Sequence, residues 1–241
     1  MNVVISQPMY FPWVGMFEQI ALADVFVFYT DVQFSKGSFT NRVQIKTEAG
    51  SRWMTVPLRD LKLGQRIDEV AVRPARDWKP LHLAMLSEAL GDAPYFQEMQ
   101  ELVRQLPDPE PETIAEVSSA SMLTICRYFG LDEKVAFVGI DELGIDGKGS
   151  GRVLDIVKAL GGTRYITGHG ARKYLDHQAF EAAGIDVGYM DYKCTPYPQF
   201  YGPFTPYVSI LDLIAHCGQA GVTYIHSIAK PWRSFINNER D

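Results

Sequence analysis

AFVGIDELGIDGKGSGRVLDIVKALGGTRYITGHGARKYLDHQAFEAAGIDVGYMDY, residues 136–192, contains the most regular pattern of elements in this chain. Three segments rich in β-branched and aromatic residues, AFVGI, RYITG and IDVGYMDY, alternate with two segments of helical spacing, RVLDIVKAL and ARKYLDHQAFEAAG. Strands that alternate with helices in this way are typical of a parallel sheet covered by helices. The pattern therefore predicts a three-layer, Rossmann-like α/β fold with a mainly parallel sheet.

The N-terminal region predicts a second unit of the same kind. An apolar run at residues 3–6 ends at Gln7-Pro8, as a buried strand does where proline removes a backbone donor. Trp13, Phe17 and Ile20 then recur at helical spacing, and VFVFYT at residues 25–30 predicts an interior strand. Such a unit places its loops, QPMYFPW and DVQFSKGSFTNR, at the carboxyl ends of the strands.

The middle and the end of the chain add further elements. Alternating segments between residues 42 and 72, VQIKT, RWMTVPL and IDEVAV, predict a small β-meander. Helical patterns at 78–90, 94–106 and 113–129 predict a helical insertion at about 78–130, in which PDPEPE (107–112) is a surface loop. Thr205-Pro206 predicts the start of a helix that Gly218 ends. We expect a single domain, residues 1–241.

Composition narrows the function classes. With 46% hydrophobic and 22% charged residues, the 241-residue chain can bury a substantial core. Its formal charge of -6 argues against a nucleic-acid binder or a protein held to anionic lipid, since both need a basic surface. The cysteines form no CxxC pair, the histidines show no HExxH spacing that would predict a metal site, and no signal peptide or membrane span is visible. We expect a cytoplasmic protein.

Loops that follow the strands carry most of the candidate chemistry, because ligands of a parallel sheet bind beyond the carboxyl ends of its strands. GKGSGR, between a predicted strand and a predicted helix, supplies Lys148, Gly149, Ser150 and Arg152. Backbone amides at a helix N-terminus together with two cations suit a phosphate or a carboxylate. The segment is neither a Walker A loop nor GxGxxG. The alternative interpretation is a flexible loop before an ordinary helix start.

TGHGARKY is a second glycine-rich loop between a strand and a helix. Gly168 and Gly170 would let the backbone approach a ligand closely, His169 lies between them, and Tyr174 ends the segment. The alternative interpretation is a turn histidine that has no function.

Polar side chains also follow the interior strand at residues 25–30. They are Asp31, Gln33, Lys36, Asn41 and Arg42. A carboxylate, two amides and two cations at one strand end favour a ligand site, and arginine is a bidentate donor. In the alternative interpretation Asp31 caps a turn and Lys36-Gly37 forms a hairpin.

Several motifs in one order give the chain a specific likeness to a known family. They are QPMYFPWVGMFEQIALADVFVFYTDVQFSKGSFTNR, WMTVPL, WKPLHLAMLSEALGDAPYF, GKGSGRVLDIVKALGGTRYITGHGARKYLD and YPQFYGPFTPYVSILDLIAHCG. Through them the chain resembles the WbqC-like protein family, which is associated with bacterial gene clusters for O-antigen and related surface glycans. A glycine or aminoacyl transferase role has been suggested for some members of that family.

The resemblance implies a set of motif residues in this sequence. They are Gln7, Tyr10, Trp13, Gly15, Asp24, Asp31, Gln33, Lys36, Asn41, Arg42, His82, Tyr95, Gly149, Arg152, Gly168, Tyr174, Gln199, Ser209, Asp212 and Gly218. His216 stands where relatives often carry asparagine, and His169 where they often carry proline or another small residue. Both departures weaken a catalytic assignment for these two histidines.

A second resemblance concerns the fold. FPWVGMFEQIALADVFVF is similar to the first βα unit of HIGH-type nucleotidyltransferases and pantothenate synthetase, which implies a HUP-like sheet. The histidines of that motif stabilise the transferring phosphate, and Trp13 and Met16 replace them here. Adenylyl transfer by that mechanism is therefore not expected, even with the fold shared.

Three functional hypotheses follow. The first is a transferase of surface-glycan biosynthesis that moves an acyl or aminoacyl group, for example glycine, from a CoA-type or ATP-type donor to an amino-sugar nucleotide. The second is an ATP-dependent HUP-like amide ligase or nucleotidyltransferase. The third is a non-catalytic protein that binds a sugar nucleotide.

The first hypothesis gives each candidate residue a role. The general base would be Asp31 or His82. Phosphates would be held by Lys36, Arg42, Lys148 and Arg152, and a base or sugar would stack on Tyr10, Trp13 and Tyr174. The other substrate-binding candidates are Gln7, Gln33, Asn41, Gly149, Ser150, Gly168 and His169.

Overall fold

The computed structural model describes residues 1–105 and 111–237. The strands are β1 (Asn2–Ser6), β2 (Val25–Phe28), β3 (Arg42–Thr47), β4 (Gly50–Thr55), β5 (Ala136–Gly139), β6 (Arg164–Thr167), β7 (Asp186–Asp191) and β8 (Ile228–Pro231). The α-helices are α1 (Val14–Ala21), α2 (Ala75–Leu90), α3 (Phe96–Arg104), α4 (Ile114–Tyr128), α5 (Gly149–Ala159), α6 (His177–Ala182), α7 (Ile210–Cys217) and α8 (Trp232–Asn237). None of the helices in these two ranges has the length and apolar character needed to cross a bilayer.

Six of the strands form one sheet, in the order β5-β2-β1-β6-β7-β8. The first five run parallel to one another, and β8 runs antiparallel to β7. The chain starts in the middle of the sheet at β1, extends it to one side through β2 and β5, and returns to the other side at β6. This confirms the predicted α/β fold, and it places the topological switch point between β1 and β6.

β1 is apolar on both faces because both faces of the sheet are covered. Val3 and Ile5 belong to a buried cluster that includes residues of α5 and α6. Val4 belongs to a second buried cluster, with Phe17 and Ile20 of α1. Since alternate residues of a strand point to opposite faces, the two clusters form the two core layers of a three-layer fold.

The segment between β2 and β5 contains the hairpin β3–β4 and the helices α2, α3 and α4. Thr113 begins α4 with a capping box, in which its Oγ1 accepts a hydrogen bond from the amide of Glu116 (3.3 Å) and the Glu116 carboxylate accepts one from the amide of Thr113 (3.1 Å). Buried residues of all three helices belong to the same cluster as α1. The insertion therefore enlarges the helical layer that α1 begins.

The predicted β-meander is a hairpin of two strands, separate from the six-stranded sheet. Its expected third segment, residues 67–72, forms a 3-10 turn at Ile67–Glu69 and then pairs with the start of α4. The amide of Ile114 donates to the carbonyl of Val70 (2.9 Å), and the amide of Val72 donates to the carbonyl of Glu112 (3.0 Å). On its other side the segment pairs with the residues just after β4, through an isolated antiparallel bridge between Leu58 and Val72. There the amide of Arg59 donates to the carbonyl of Ala71 (2.8 Å), and the amide of Arg73 donates to the carbonyl of Pro57 (3.0 Å). The expected third segment therefore pairs with the end of the second, as a meander does, but it forms no third strand of the two-stranded sheet.

Helix α7 begins later than the sequence predicts. The prediction of a start at Thr205-Pro206 was wrong, because the Gln199 side chain binds the Thr205 backbone: its Oε1 accepts from the Thr205 amide at 2.8 Å. The N-cap is Ser209, whose Oγ accepts from the amide of Leu211 (3.3 Å). The predicted surface loop PDPEPE cannot be compared in the same way, since residues 107–110 lie outside the described residues.

Candidate functional site

A cleft of about 920 Å³ opens at the carboxyl ends of β1, β2 and β6, beside the switch point. Parallel sheets bind ligands at this position. The candidate residues that line it are Gln7, Asp31, Gln33, Lys148, Gly149, Arg152, Gly168, His169 and Tyr174. The sheet therefore brings together the loop after β1, the loop after β2 and both glycine-rich loops.

Asp31 and Arg152 form a bidentate ion pair in this cleft. Nη1 of Arg152 donates to Oδ1 of Asp31 at 2.9 Å, and Nη2 donates to Oδ2 at 2.5 Å. The Arg152 Nε donates to the carbonyl of Ile145 (2.9 Å), and Nη1 also reaches the Tyr29 hydroxyl (3.4 Å). The hydrogen bonds that Arg152 donates to the Asp31 carboxylate raise the pKa of Arg152. Both Asp31 oxygens and most of the guanidinium are therefore engaged within the protein.

The start of α5 offers a second kind of anion-binding group. Gly147 and Gly149 have φ values of 121° and 62°, a backbone conformation that favours glycine, and Lys148 between them is the N-cap. The Lys148 side chain is exposed and forms no ion pair within the described residues. Ser150 does not line the cleft; its Oγ accepts a hydrogen bond from the amide of Asp176 (2.8 Å) and fixes α5 to the start of α6. Free amides and one ammonium suit a phosphate or a carboxylate.

His169 is exposed at the end of β6 with its ring oriented by the protein. Its Nε2 lies 2.8 Å from the carbonyl oxygen of Met190. Because a carbonyl oxygen only accepts, Nε2 carries the proton, and Nδ1 of the neutral ring has a lone pair. The ring packs against Tyr192 and Phe235, with ring centroids 5.4 and 4.8 Å away.

Amide and tyrosine side chains form the rest of the polar lining. Gln19 is buried on α1; its Nε2 donates to the carbonyl of Ile166 (3.3 Å), and its Oε1 accepts from the Tyr192 hydroxyl (3.4 Å). A side chain at Gly168 would bring a Cβ to within 3.0 Å of that hydroxyl, so the glycine lets Tyr192 close this end of the cleft. Burial raises the pKa of Tyr29 and of Tyr192, so both stay protonated donors.

Sequence reasoning missed several residues of the cleft. Tyr29, Thr167 and Tyr192 line it, and each lies at or directly after the carboxyl end of a strand, so the rule that located the loops also applies to them. Gln19 had a weaker signal, as one of two adjacent polar residues, with Glu18, in an otherwise apolar helix. In the described residues no three His, Cys, Asp or Glu side chains lie close enough together to hold a metal ion.

Comparison with known proteins identifies the family. The model of the WbqC-like protein family matches residues 7–224. The chain belongs to the WbqC-like family. An uncharacterized protein of Mycobacterium tuberculosis, Rv1507c, is 33% identical over 227 residues, which cover 93% of this chain and 97% of the relative. No solved structure matches the chain.

Tyr10 and His82 are among the family-motif residues of this WbqC-like chain that lie away from the cleft. Tyr10 is fully buried, and its hydroxyl lies 3.0 Å from Nδ1 of His82, whose Nε2 lies 3.0 Å from the carbonyl of Thr55. Burial lowers the pKa of His82 to about 4. His82 borders a separate groove of about 400 Å³, with Trp53 and Trp78. The structure therefore does not bring the two proposed bases, Asp31 and His82, into one site.

The candidates Lys36, Asn41 and Arg42 shape the start of the hairpin. Asn41 is buried, and its Nδ2 donates to the carbonyl of Val56 (3.0 Å). Arg42 donates to the carbonyl of Gly37 (2.5 Å) and lies 4.1 Å above the Trp53 ring. Lys36 is exposed. None of the three is among the residues that line the cleft.

Trp13 does not line the cleft itself but packs against Tyr192, which does. Its ring packs against Tyr192 and Tyr207, at centroid distances of 4.9 and 5.0 Å. Its ring also lies over Gly15, where an added Cβ would be 2.2 Å from the indole. The family-motif glycine thus leaves room for Trp13, and Trp13 in turn supports Tyr192.

We expect Gly15→Ala to destabilise the protein by about 1–3 kcal/mol, because the new methyl group and the Trp13 indole overlap. Chemical denaturation would measure this change, and tryptophan fluorescence would report the displaced ring. Gly151→Ala is the matched control: Gly151 also lies in the first turn of a helix, and its Cβ would meet nothing within 4 Å. An unchanged stability of Gly15→Ala would show that Trp13 is not held in this position.

Other motif residues fix the framework. Asp24 accepts a hydrogen bond from the amide of Asn2 at 2.6 Å and so joins the start of β1 to the start of β2. Gly218 ends α7 at a φ of 55°, and a Cβ there would be 2.6 Å from the Tyr95 ring. The family pattern therefore combines residues that line the cleft with residues that the fold requires.

Proposed function

We propose that this WbqC-like protein binds a sugar nucleotide in the switch-point cleft and transfers an acyl or aminoacyl group to an amine of the sugar, in surface-glycan biosynthesis. The observation that carries this proposal is the meeting of the α5 N-terminus with the loops after β1, β2 and β6 in one cleft. The family resemblance supports the class of substrate. The donor would be an acyl-CoA thioester or an acyl adenylate made with ATP: the amide bond to the sugar nitrogen forms as the acyl–S or acyl–O bond breaks, and CoA or AMP leaves.

Lys148 and the amides at the start of α5 support the phosphate end of this ligand. Arg152 contributes less than its charge suggests, because the two oxygens of Asp31 already neutralise it. Of the described side chains that line the cleft, Lys148 is the cation without an ionic partner. One ammonium and a helix N-terminus match a group with one or two negative charges, such as the diphosphate of a sugar nucleotide.

Amides and phenols support the sugar end. Gln7 and Gln33 line the cleft beside Tyr174, which is 52% exposed and therefore accessible to a ligand. Amide groups donate and accept hydrogen bonds, as sugar hydroxyls do, and a tyrosine ring packs against the apolar face of a sugar or a base. This polar but largely uncharged lining favours a carbohydrate over a second anionic group.

Calorimetry on the full chain tests the proposal. The titrants are UDP-glucosamine, UDP-glucose, dTDP-glucose, UDP, CoA and ATP, each with the wild type, Lys148→Ala and Lys36→Ala. We expect a sugar nucleotide to bind and Lys148→Ala to weaken it about tenfold or more, the value of one charge-assisted hydrogen bond. Lys36→Ala removes an exposed lysine that the sequence also offered as a phosphate ligand but that does not line the cleft, so it should leave the affinity unchanged. Absence of binding by every titrant, or equal effects of both variants, would contradict the proposal.

The strand order gives a reason to keep the ATP-dependent ligase as a second candidate. The parallel strands follow the order 3-2-1-4-5, which binds nucleotides at the switch point in Rossmann folds. Release of pyrophosphate that depends on an added amino acid would favour this reaction. Binding of a sugar nucleotide without any turnover would instead favour the non-catalytic carrier.

A further inference from the structure

We propose that Nδ1 of His169 is the hydrogen-bond acceptor that recognises the amino group of the ligand's sugar, and so makes His169 a specificity-determining residue. This inference rests on the proposed function for the identity of the ligand. It adds the atom that selects an amino sugar.

The protonation state of the ring carries the first step. Nε2 donates its hydrogen bond to the Met190 carbonyl oxygen at 2.8 Å, so in the neutral ring Nδ1 carries no proton. Within the described residues Nδ1 has no hydrogen-bond partner of its own, and His169 is an exposed residue that lines the cleft. Its oriented lone pair can accept a hydrogen bond from a ligand, and the bond is strongest where the donor is a charged ammonium group.

The second step is the rigidity of the ring. Phe235 of α8 packs on His169 and also stacks on Tyr189 of β7, with centroids 4.5 Å apart and planes at 7°. Tyr192 is the second aromatic residue that packs against the His169 ring, and its hydroxyl is hydrogen-bonded to the buried Gln19. Contacts from a helix, a strand and the segment after that strand hold the imidazole, so little conformational entropy is lost when a ligand binds.

The third step is the character of the other lining groups. Asp31 could also accept an amine, but Arg152 occupies both of its oxygens. Lys148 and Arg152 are cations and repel an ammonium group. The imidazole nitrogen accepts from hydroxyl and amino groups, as amide oxygens do, but it is more basic, so its hydrogen bond gains more when the donor is an ammonium group. His169 therefore supplies the acceptor in the described part of the cleft that is both unengaged and fixed in direction.

Two measurements on the full chain test the role. In ¹⁵N-imidazole NMR spectra, we expect the His169 Nδ1 of the free protein to resonate as an unprotonated nitrogen and to move when UDP-glucosamine binds. His177, whose Nε2 is bonded to the Tyr189 hydroxyl (2.8 Å) and which does not line the cleft, is the internal control. A protonated Nδ1 in the neutral ring, or a resonance that the ligand leaves unmoved, would overturn the inference.

Calorimetry with His169→Phe supplies the second measurement, because phenylalanine keeps the ring contacts and removes the acceptor. We expect about a tenfold loss of affinity for UDP-glucosamine, a smaller loss for UDP-glucose, whose hydroxyl replaces the amino group, and an unchanged affinity for UDP, which lacks the sugar. His177→Phe should bind all three as the wild type does. Wild-type protein that binds no sugar nucleotide would overturn the proposed function itself. Affinity for UDP-glucosamine that His169→Phe leaves unchanged, or weakens no more than the affinity for UDP-glucose, would overturn the role of His169 alone.

Discussion

Replacing Arg152 by methionine is expected to lower the free energy of unfolding by about 3 kcal/mol, the lower end of the range for breaking a buried ion pair. The Arg152 side chain is 7% exposed, and Asp31, at 23%, is only partly hydrated. The substitution leaves the Asp31 carboxylate without its two charged donors and the carbonyl of Ile145 without its donor. Denaturant titration of the two proteins measures the difference.

A matched control and a double-mutant cycle distinguish the effect of breaking the ion pair on stability from the effect of removing one positive charge. Lys158→Met removes an exposed cation from the same helix and should change stability by less than about 0.5 kcal/mol. In the cycle, Asp31→Asn should reduce the cost of Arg152→Met, since the two side chains contact each other directly. Additive effects of the two substitutions would show that the ion pair is not formed.

The second large effect is the dependence of stability on pH through His82. Burial lowers the pKa of His82 from an ordinary 6.5 to about 4 in the folded protein. Between these values the unfolded chain binds the proton and the folded chain does not, so acid favours unfolding. The contribution of His82 is complete above pH 6.5 and falls by about 3 kcal/mol as the pH drops to about 4. His82→Gln should remove this part of the profile.

Glu18 has the opposite effect to His82 on the pH dependence of stability, over much of the same pH range. It is buried on α1, its Oε1 has no hydrogen-bond partner within the described residues, and burial raises its pKa to about 7. A carboxyl group whose pKa is raised by folding contributes its full stabilisation at pH values below its pKa in the unfolded chain. This contribution is lost as the pH rises toward 7. The free energy of unfolding of Glu18→Gln should therefore rise with pH more steeply than that of the wild type.

The His82 prediction has its own contradicting outcome. If the stability of His82→Gln and of the wild type changed in parallel with pH, this would contradict the burial of a neutral His82.

The sequence predicted the sheet and the position of its loops because these depend on local patterns. Strands β1, β2, β5, β6 and β7 each have an apolar run, and the helices between them have a 3.6-residue spacing. The carboxyl ends of parallel strands meet at one edge, so the loops with Gln7, Asp31, Lys148 and Gly168 could be assigned to one site. The start of α7 was missed because the side chain of Gln199, distant from any helix pattern, binds Thr205.

The roles of individual site residues could not be predicted because they depend on contacts between distant residues. Asp31 and Arg152 are 121 positions apart, and only the folded sheet shows that each engages the other. His82 resembles a candidate base by its residue type, yet its partners, Tyr10 and the carbonyl of Thr55, hold it in the core. The tautomer of His169 likewise depends on Met190, which lies on a different strand.

Backbone amide NMR of the full chain, titrated with UDP-glucosamine, tests the central claim that the switch-point cleft is the ligand site. We expect the perturbed amides to concentrate at residues 147–152 and 167–170, with further changes at Gln7 and Gln33. The groove beside Trp53, Trp78 and His82 serves as the internal comparison on the same molecule. Perturbations that concentrate at that groove, or that leave the two glycine-rich loops unchanged, would contradict it.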